Sequence, residues 1–381
     1  MRIGIVAGEA SGDLLGAGLI NAVRERNPAV EFEGVAGPMM QAAGCKVIEN
    51  ADALAVMGLI EPIREIPRLL RLRRMLVSRW QSDPPDVVIG IDAPDFNLGL
   101  ELKLRRSGIR TVQYVSPTVW AWRQGRIKKI RKAVDLVLCL LPFEKQFYDE
   151  HDVAAVFVGH PVAERLTANP DMQAARRRLG LGSELVVAVL PGSRQGEVQR
   201  LGQAFARACA LIVADKETEN VSFVAPMANA GLRSIFQEQL QAAGMLERFL
   251  LLDGDSETAI TAADVALLAS GTASLEAAML GTPAVVAYKV ARLTRFVLKV
   301  FRLLKAPYIA MPNLLAGKLL LPEFVQEKAT PEALKAAVSE LLLDPVLRDS
   351  IAEEFSRLRC MLAHSADERA ASAILDLIGQ R

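Results

Sequence analysis

Residues 92–97 (DAPDFN) contain three side chains that could act in proton transfer or at the start of a helix. Asp92 directly follows an apolar run, residues 87–91, that is typical of a buried strand. A carboxylate at such a strand end can act as a general base that takes a proton from an attacking hydroxyl. Asp92 also fits a structural carboxylate, and Asp95 or Asn97 fits the cap of a following helix.

Residues 190–197 (LPGSRQGE) suit a different task, the binding of a diphosphate. Gly192 and Ser193 can bring backbone N–H groups close to an anion, and Arg194 adds a permanent positive charge. This combination would stabilise a diphosphate leaving group, which gains negative charge in the transition state. A surface loop with an incidental arginine is the alternative.

Residues 269–276 (ASGTASLE) again join an apolar run to a helical pattern. Hydroxyl groups and N–H groups at a helix start can donate to phosphate oxygens, and Glu276, one turn later, can accept hydrogen bonds from ribose hydroxyls. The alternative is a well-capped helix with a solvated glutamate. The candidate contacts to a nucleotide sugar in this segment are Ser270, Gly271, Thr272, Ala273, Ser274 and Glu276.

The first apolar run ends in residues 8–13 (GEASGD), which could line a ligand site. Gly8 and Gly12 allow close approach of the backbone, and Glu9 and Ser11 are polar. The segment does not match G-x-G-x-x-G, and the chain has no G-x-x-x-x-G-K-[ST] motif, so a dinucleotide or ATP site of the usual form is not expected. A tight turn with a serine cap is the alternative.

These segments need strands and helices that hold them at one edge of a sheet. Apolar runs alternate with helical patterns in both halves of the chain, which predicts an α/β fold of two Rossmann-like, doubly wound domains facing a cleft. We expect domains at residues 1–165 and 166–345, a linker near 159–170, and a helical tail, 346–381, that packs back on the first domain. The predicted strands cover residues 3–7, 32–36, 87–91, 111–115, 134–141, 185–190, 221–225, 249–252, 265–269 and 284–288.

The composition excludes several classes of protein. The 381 residues include 45 Lys and Arg against 44 Asp and Glu, which argues against a nucleic-acid-binding protein with a domain-wide positive field. Four dispersed cysteines and three histidines support neither a disulfide framework nor a Cys/His zinc site. The short pattern Asp253-Gly254-Asp255 reads more easily as a helix start than as a metal site. We expect no metal and no cofactor.

The first residues predict a strand without an export signal, and the longest apolar stretch, residues 134–142, is too short to span a bilayer. Two predicted helices, residues 62–80 and 290–305, combine apolar and arginine-rich faces. In the first helix we expect Leu69, Leu72, Met75 and Leu76 to contact lipid, with Leu72 and Met75 the best candidates because they lie among arginines. A core helix with a solvated basic face is the alternative.

Set side by side, these segments resemble the lipid-A-disaccharide synthases of Gram-negative bacteria. The most specific stretch is YVSPTVWAWRQGRIKKI at residues 114–130, and the resemblance runs from the first strand to beyond residue 315. The other matching stretches are GEASGDLLGAGLI, GVAGPMM, GIDAPDFN, LPFEKQFY, GHP, LPGSRQGEV, LLASGTASLEA and PNLLAG.

The resemblance implies an inverting glycosyltransferase of the GT-B fold that needs no metal. Its donor would be UDP-2,3-diacylglucosamine, its acceptor 2,3-diacylglucosamine 1-phosphate (lipid X), and its products a β-1,6-linked disaccharide 1-phosphate and UDP. It assigns Asp92 as the base, Arg194 as an activity-determining arginine and Asn313 as a UDP-sugar contact. It further implies a homodimer in the cytoplasm, bound peripherally to the anionic inner-membrane surface.

Two other functions fit the same loops. A UDP-sugar epimerase would use the nucleotide-binding segments but would not need a lipid surface. A non-catalytic lipid- or nucleotide-binding protein would keep the loops and lack turnover. An NAD-dependent oxidoreductase is the least expected, because the glycine fingerprint does not match.

Overall fold

The computed structural model describes residues 1–54, 62–121, 124–290 and 307–379, with the backbone alone for 62–65. The chain forms two compact units, Met1–Pro161 together with Leu362–Arg381, and Val162–Met361. The division between them therefore falls at residue 161, and the chain returns to the first unit at residue 362. Of the predicted basic helix over residues 290–305, only Val290 is among the described residues. Trp122 and Arg123 of the 114–130 stretch also lie outside them.

Among the described residues of the first unit, seven parallel strands form one sheet in the order β3-β2-β1-β4-β5-β6-β7. Its central strands are rich in Val and Ile and are buried on both faces, as expected when helices cover both sides of a parallel sheet. The strands are β1 (Arg2–Ala7), β2 (Glu31–Ala36), β3 (Cys45–Asn50), β4 (Val87–Ile91), β5 (Arg110–Tyr114), β6 (Leu136–Cys139) and β7 (Ala155–Phe157).

Helices connect these strands and cover the sheet. Several begin with proline, whose fixed φ and missing N–H suit the first helical turn. They are α1 (Ala10–Arg26), α2 (Pro38–Ala42), α3 (Pro62–Ser82), α4 (Pro94–Arg106), α5 (Ile127–Ala133) and α6 (Pro142–Asp149).

The second unit repeats this topology. In its described part, six parallel strands run in the order β10-β9-β8-β11-β12-β13. They are β8 (Leu185–Leu190), β9 (Val221–Met227), β10 (Phe249–Asp253), β11 (Val265–Ala269), β12 (Ala284–Tyr288) and β13 (Glu323–Val325). The helices from the start of this unit to the end of the chain are α7 (Pro161–Arg165), α8 (Met172–Leu179), α9 (Gln195–Val213), α10 (Ala230–Ala242), α11 (Ser256–Ala262), α12 (Thr272–Met279), α13 (Met311–Ala316), α14 (Pro331–Leu343), α15 (Pro345–Leu362) and α16 (Ala366–Gly379).

The predicted α/β class and the ten predicted strands are confirmed. The prediction missed β3, β7 and β13, which are edge strands. Two of them have only three residues, and β3 is largely exposed, so none shows the apolar run that marks a central strand.

The last helix, α16, completes the core of the first unit. Ala370, Ala371 and Ile374 on this helix belong to the same buried cluster as Leu19 and Val23 of α1. Helix α15 lies mostly in the second unit. The tail expected over residues 346–381 is therefore divided between the two units.

Helix α3 buries residues that were expected to contact lipid. Leu72, Leu76 and Trp80 follow at four-residue intervals and are 8%, 0% and 0% exposed, and Leu69 packs against the same cluster. The expectation that Leu72 and Leu76 contact lipid is thereby corrected, because both lie in the protein core. Met75 remains exposed, and so do Ile66 and Leu70. No helix in the described ranges is long and apolar enough to cross a membrane.

Candidate active site

The turn after β4 lies at the point where the strand order of the first sheet reverses. Strand β1 pairs with β2 on one side and with β4 on the other, and Ala7 is paired with Ile91. Gly8 and Asp92 therefore leave the sheet side by side at its carboxyl edge. In open α/β sheets this switch point is where ligands bind.

Asp92 occupies a tightly held turn. Its φ is 50° and that of Ala93 is 38°, both in the left-handed region. The Asp92 N–H donates to the Tyr114 carbonyl over 2.9 Å. The Asp92 carbonyl accepts from Asn97 Nδ2 at 2.9 Å and from Gln113 Nε2 at 3.0 Å. The residue is half-buried.

The predicted caps of helix α4 are wrong. The helix begins at Pro94 after Ala93, which makes no side-chain cap. Asn97 is fully buried and turns its amide back to the carbonyls of Ile91 and Asp92. Asp95 is 64% exposed and pairs with Arg126.

The loop after β1 borders the Asp92 turn. A Cβ placed on Gly8 would lie 3.1 Å from the Ala93 Cβ, so a larger residue would push against the turn. Glu9 and Ser11 are exposed and Gly12 is buried. Helix α1 begins at Ala10, and Ser11 therefore lies in its first turn instead of capping it.

The phosphate-type loop of the second unit lies at the matching switch point. Strand β8 lies between β9 and β11, and Leu190 is paired with Leu268. Gly192 has a φ of 137°, and a Cβ there would lie 2.4 Å from the Glu197 Cβ, so this position needs glycine. The loops that follow β8 and β11 thus leave the sheet next to each other.

Glu197 changes the electrostatics predicted for this loop. Its carboxylate accepts the N–H of Ser193 at 3.1 Å and of Arg194 at 3.3 Å. The Ser193 donor, which the sequence predicted to bind a diphosphate, is therefore occupied in the structure, and so is the Arg194 N–H. The Arg194 side chain is exposed, and within the described residues no carboxylate pairs with it.

The loop after β11 offers exposed groups at the start of helix α12. Gly271 and Thr272 are exposed, and Ala273 is half-buried. Ser270 donates through its hydroxyl to the Ile309 carbonyl at 3.4 Å, and the buried Ser274 hydroxyl donates to the Gly271 carbonyl at 2.8 Å. Ser274 is thus used to shape the turn.

Glu276 lies one helical turn into α12 and is half-buried. Burial raises the pKa of this carboxyl, and the nearby Arg165 acts in the opposite direction. A partly desolvated carboxylate forms stronger hydrogen bonds to hydroxyl groups than a solvated one.

Asn313 is completely buried, and its amide is saturated with hydrogen bonds. Its Nδ2 donates to the Leu321 carbonyl and to Glu323, both at 2.8 Å, and its Oδ1 accepts the N–H groups of Leu320 and Leu321. An amide has two donors and two main acceptor positions, so none remains for a ligand. The predicted contact between Asn313 and the UDP-sugar is corrected to a structural role in this segment.

The two aspartates of the D-x-D pattern are paired with arginines. Asp253 accepts from Arg233 at 2.7 Å, and Asp255 lies 3.0 Å from Arg178. In the part of the chain that the structure describes, no group of three or more His, Cys, Asp or Glu side chains could hold a metal ion.

A buried carboxyl that the sequence reasoning did not single out lies behind the 114–130 stretch. Glu144 is 3% exposed, accepts from Trp120 Nε1 at 3.1 Å and from the Leu141 N–H at 3.1 Å, and burial raises its pKa to about 7. In the sequence, its place in LPFEKQFY indicates only an acidic residue in the first turn of a helix, and nothing there predicts that it is buried. Through its bond to Trp120, Glu144 links the loop after β5 to the first turn of helix α6.

The sequence comparisons identify a family for this chain. The family model described as Lipid-A-disaccharide synthetase matches residues 3–375. The chain belongs to this family. It is 49% identical over 382 residues to lipid-A-disaccharide synthases of Alkalilimnicola ehrlichii and of Pseudomonas aeruginosa, covering 100% of this chain and 99% of each relative. The lipid-A-disaccharide synthetase family thus accounts for the whole chain, which is a glycosyltransferase of lipid A biosynthesis.

Solved structures with the same fold include transferases and an epimerase. The calicheamicin glycosyltransferase CalG4 superposes with a TM-score of 0.61 at 16% identity, covering 100% of this chain and 98% of that one. The UDP-GlcNAc 2-epimerase of Neisseria meningitidis gives 0.65 at 12% identity, with both chains covered completely. At such identities the likeness shows the GT-B fold alone. The epimerase alternative is therefore not favoured over the family to which the chain belongs.

Proposed function

We propose that this chain transfers a 2,3-diacylglucosaminyl group from UDP-2,3-diacylglucosamine to the 6-hydroxyl of 2,3-diacylglucosamine 1-phosphate (lipid X). The products are the β-1,6-linked disaccharide 1-phosphate and UDP. The observation that carries this proposal is the rigidly held Asp92 at the switch point of the first sheet. Full-length relatives named lipid-A-disaccharide synthase support the choice of substrates.

Asp92 acts as the general base in this reaction. Its carboxylate takes the proton of the acceptor 6-hydroxyl while that oxygen attacks the anomeric carbon from the side opposite UDP. A single displacement of this kind inverts the anomeric configuration. The loop after β1 leaves the sheet next to Asp92. It contacts the acceptor through Gly8, Glu9, Ser11 and Gly12.

The second unit binds the donor. The guanidinium of Arg194 meets the charge that develops on the departing diphosphate, which is the role a metal ion has in other transferases. The start of helix α12 faces the phosphates with Ser270, Gly271 and Thr272, and Glu276 accepts the ribose hydroxyls. Gly192, Ser193, Ala273 and Ser274 shape the two loops.

The exposed side of helix α3 binds the anionic surface of the inner membrane from the cytoplasm. Ile66, Leu70 and Met75 are 44%, 39% and 41% exposed, and Arg71 and Arg74 are exposed on the same helix. Apolar groups beside arginines suit an interface of acyl chains and anionic head groups. Both substrates carry acyl chains, so the enzyme has to work at that surface.

We also propose that two copies associate. The junction of helices α14 and α15 exposes Leu343 and Val346, at 47% and 76%, which would be covered in a dimer. Light scattering on the purified protein should give a mass twice that of one chain, which is 41.3 kDa. A mass of one chain at all concentrations would contradict this.

The proposed reaction is tested by UDP release from UDP-2,3-diacylglucosamine with and without lipid X. Asp92→Asn should lower turnover about 100-fold or more and leave UDP binding within about twofold, since a base acts on the chemical step. Asp95→Asn is the matched control, because Asp95 lies three residues later, in the first turn of α4, and its side chain is 64% exposed. UDP release that does not need lipid X, or an Asp92→Asn variant as active as the control, would refute the proposal.

A further inference from the structure

Two adjacent strand ends in the first unit have backbone conformations that their residues disfavour. Ile91 is paired with Tyr114 in the sheet, and the residues that follow this pair are Asp92 and Val115. Their φ values are 50° and 72°, and Ala93 follows at 38°. The left-handed region is unfavourable for residues with a Cβ, and most of all for a β-branched valine. Contacts from the surrounding structure must therefore stabilise the backbone of these two turns.

The side chain of Gln113 reaches both turns at once. It is 0% exposed, and its Nε2 lies 3.0 Å from the Asp92 carbonyl, 3.3 Å from that of Tyr114 and 3.3 Å from that of Val115. Asn97 approaches from helix α4, with its Nδ2 2.9 Å from the Asp92 carbonyl and 3.3 Å from that of Ile91. Two buried amides from different elements therefore hold one carbonyl, that of Asp92.

Within the described ranges of the chain, this orientation of the two amides leaves their oxygen atoms without hydrogen bonds. Gln113 Oε1 and Asn97 Oδ1 are buried without a hydrogen-bond donor among the described residues. Turning either amide over would place its oxygen against the Asp92 carbonyl oxygen, so the amino groups must face the turn. Gly90 makes room for this arrangement, because a Cβ there would lie 2.8 Å from Asn97 Cβ. An amide that only filled the core would be expected to pair at both ends.

We propose that Gln113 and Asn97 are positioning residues for the glycosyl transfer, which hold the Asp92 backbone so that its carboxylate meets the acceptor hydroxyl. This inference rests on the proposed role of Asp92 as the base. The φ angle of Asp92 sets the direction of its Cα–Cβ bond, so relaxation to an extended conformation would turn the carboxylate away. A displacement of about 1 Å at a reacting group is enough to cost roughly 100-fold in rate.

The test compares Gln113→Met, which keeps the length of the side chain without its amide, with Thr111→Val. Thr111 is a matched control because it is buried two residues earlier on β5 and donates its hydroxyl to the Ala133 carbonyl at 2.8 Å. Gln113→Met should lower kcat about 10- to 100-fold with KM for both substrates within about twofold. Thr111→Val should lower the melting temperature and keep kcat within about twofold. A Gln113→Met variant that keeps kcat, or a Thr111→Val variant that loses it equally, would overturn the proposal.

A double-variant cycle separates positioning from a general structural role. In an Asp92→Asn background, Gln113→Met should cause less than about a twofold further loss of kcat, because it acts through the carboxylate that is already missing. An equal further loss in that background would contradict the inference. If Gln113→Met shows no cooperative melt, Asn97→Ser replaces it, with the same split between kcat and KM expected and an unchanged kcat counting against the proposal.

The wild-type chain distinguishes failure of this inference from failure of the proposed function. If it releases no UDP in the presence of lipid X, the proposed function fails. If it does so and Gln113→Met keeps the wild-type kcat, only the positioning role is wrong.

Discussion

Helix α3 offers a direct comparison between apolar residues that stabilise the protein and apolar residues proposed to bind lipid. Leu72 is 8% exposed and belongs to a cluster with Leu76, Trp80 and Phe96, whereas Met75, three residues later, is 41% exposed. Leu72→Ala should lower the free energy of unfolding by about 2–5 kcal/mol, as large-to-small core substitutions do. Met75→Ser should change it by less than about 0.5 kcal/mol.

The effect on membrane binding should be the reverse. Burying a whole apolar side chain contributes about 1.5–3 kcal/mol, and Ile66, Leu70 and Met75 each have about 40% of their surface left to bury. Together they would contribute about 1.8–3.6 kcal/mol to binding, which is roughly a 20- to 400-fold change in partitioning. The triple serine variant should therefore leave anionic vesicles while its melting curve stays close to that of the wild type.

Co-sedimentation with anionic vesicles and a thermal melt on the same preparations provide the measurements. Leu72→Ala should melt at a lower temperature and, below that temperature, sediment with vesicles as the wild type does. A triple variant that still binds as the wild type does would refute the assignment of this face to lipid. So would a folded Leu72→Ala variant that no longer binds, because Leu72 has almost no surface to offer to a bilayer.

The other predictions concern the donor site, metal dependence and the buried carboxyl behind the β5 loop. Glu276→Ala should weaken UDP binding by about 1–3 kcal/mol, since the ribose hydroxyls lose a charged acceptor; an unchanged dissociation constant by calorimetry would return Glu276 to a structural role. EDTA should leave turnover unchanged, because Asp253 and Asp255 are already paired with arginines; a loss restored only by magnesium or manganese would count against this. Burial raises the pKa of Glu144 from 4.5 to about 7, so between these pH values the folded protein keeps a proton on this carboxyl that the unfolded chain has lost. The free energy of unfolding therefore falls by about 3 kcal/mol as the pH rises through this window. Urea titrations at pH 4.5 and 8 should show that Glu144→Gln lacks this decrease, and equal pH dependence in both proteins would contradict the assignment.

The sequence was sufficient for the features that depend on composition along a strand. The central strands are apolar on both faces, and that pattern alone predicts a parallel sheet covered by helices. The candidate base followed from the same logic, because residues after such a strand lie at the carboxyl edge of the sheet. The family resemblance then gave these loops a chemistry that no spacing rule could supply.

The errors came where a residue has two compatible environments. Leu72 continues a four-residue ridge with Leu76, but it is also flanked by arginines, and the sequence pattern did not decide between them. Asn97 has the residue type of a helix cap, yet its amide is used inside the fold. The positive φ of Asp92 and Val115 has no sequence signal, because neither is a glycine.

The return of the chain to the first unit has a consequence for how the protein is made. Synthesis proceeds from the N-terminal side, so the helix that supplies Ala370, Ala371 and Ile374 to the core around α1 is made after the second unit. The sheet that carries Asp92 is complete in sequence by residue 157, but the part of α1 that packs against α16 is covered only after the whole second unit has been synthesised. During that interval the nascent chain exposes apolar surface, a state in which a bound chaperone would protect it from aggregation. The second unit, by contrast, is continuous in sequence and can close as soon as residue 361 has emerged from the ribosome.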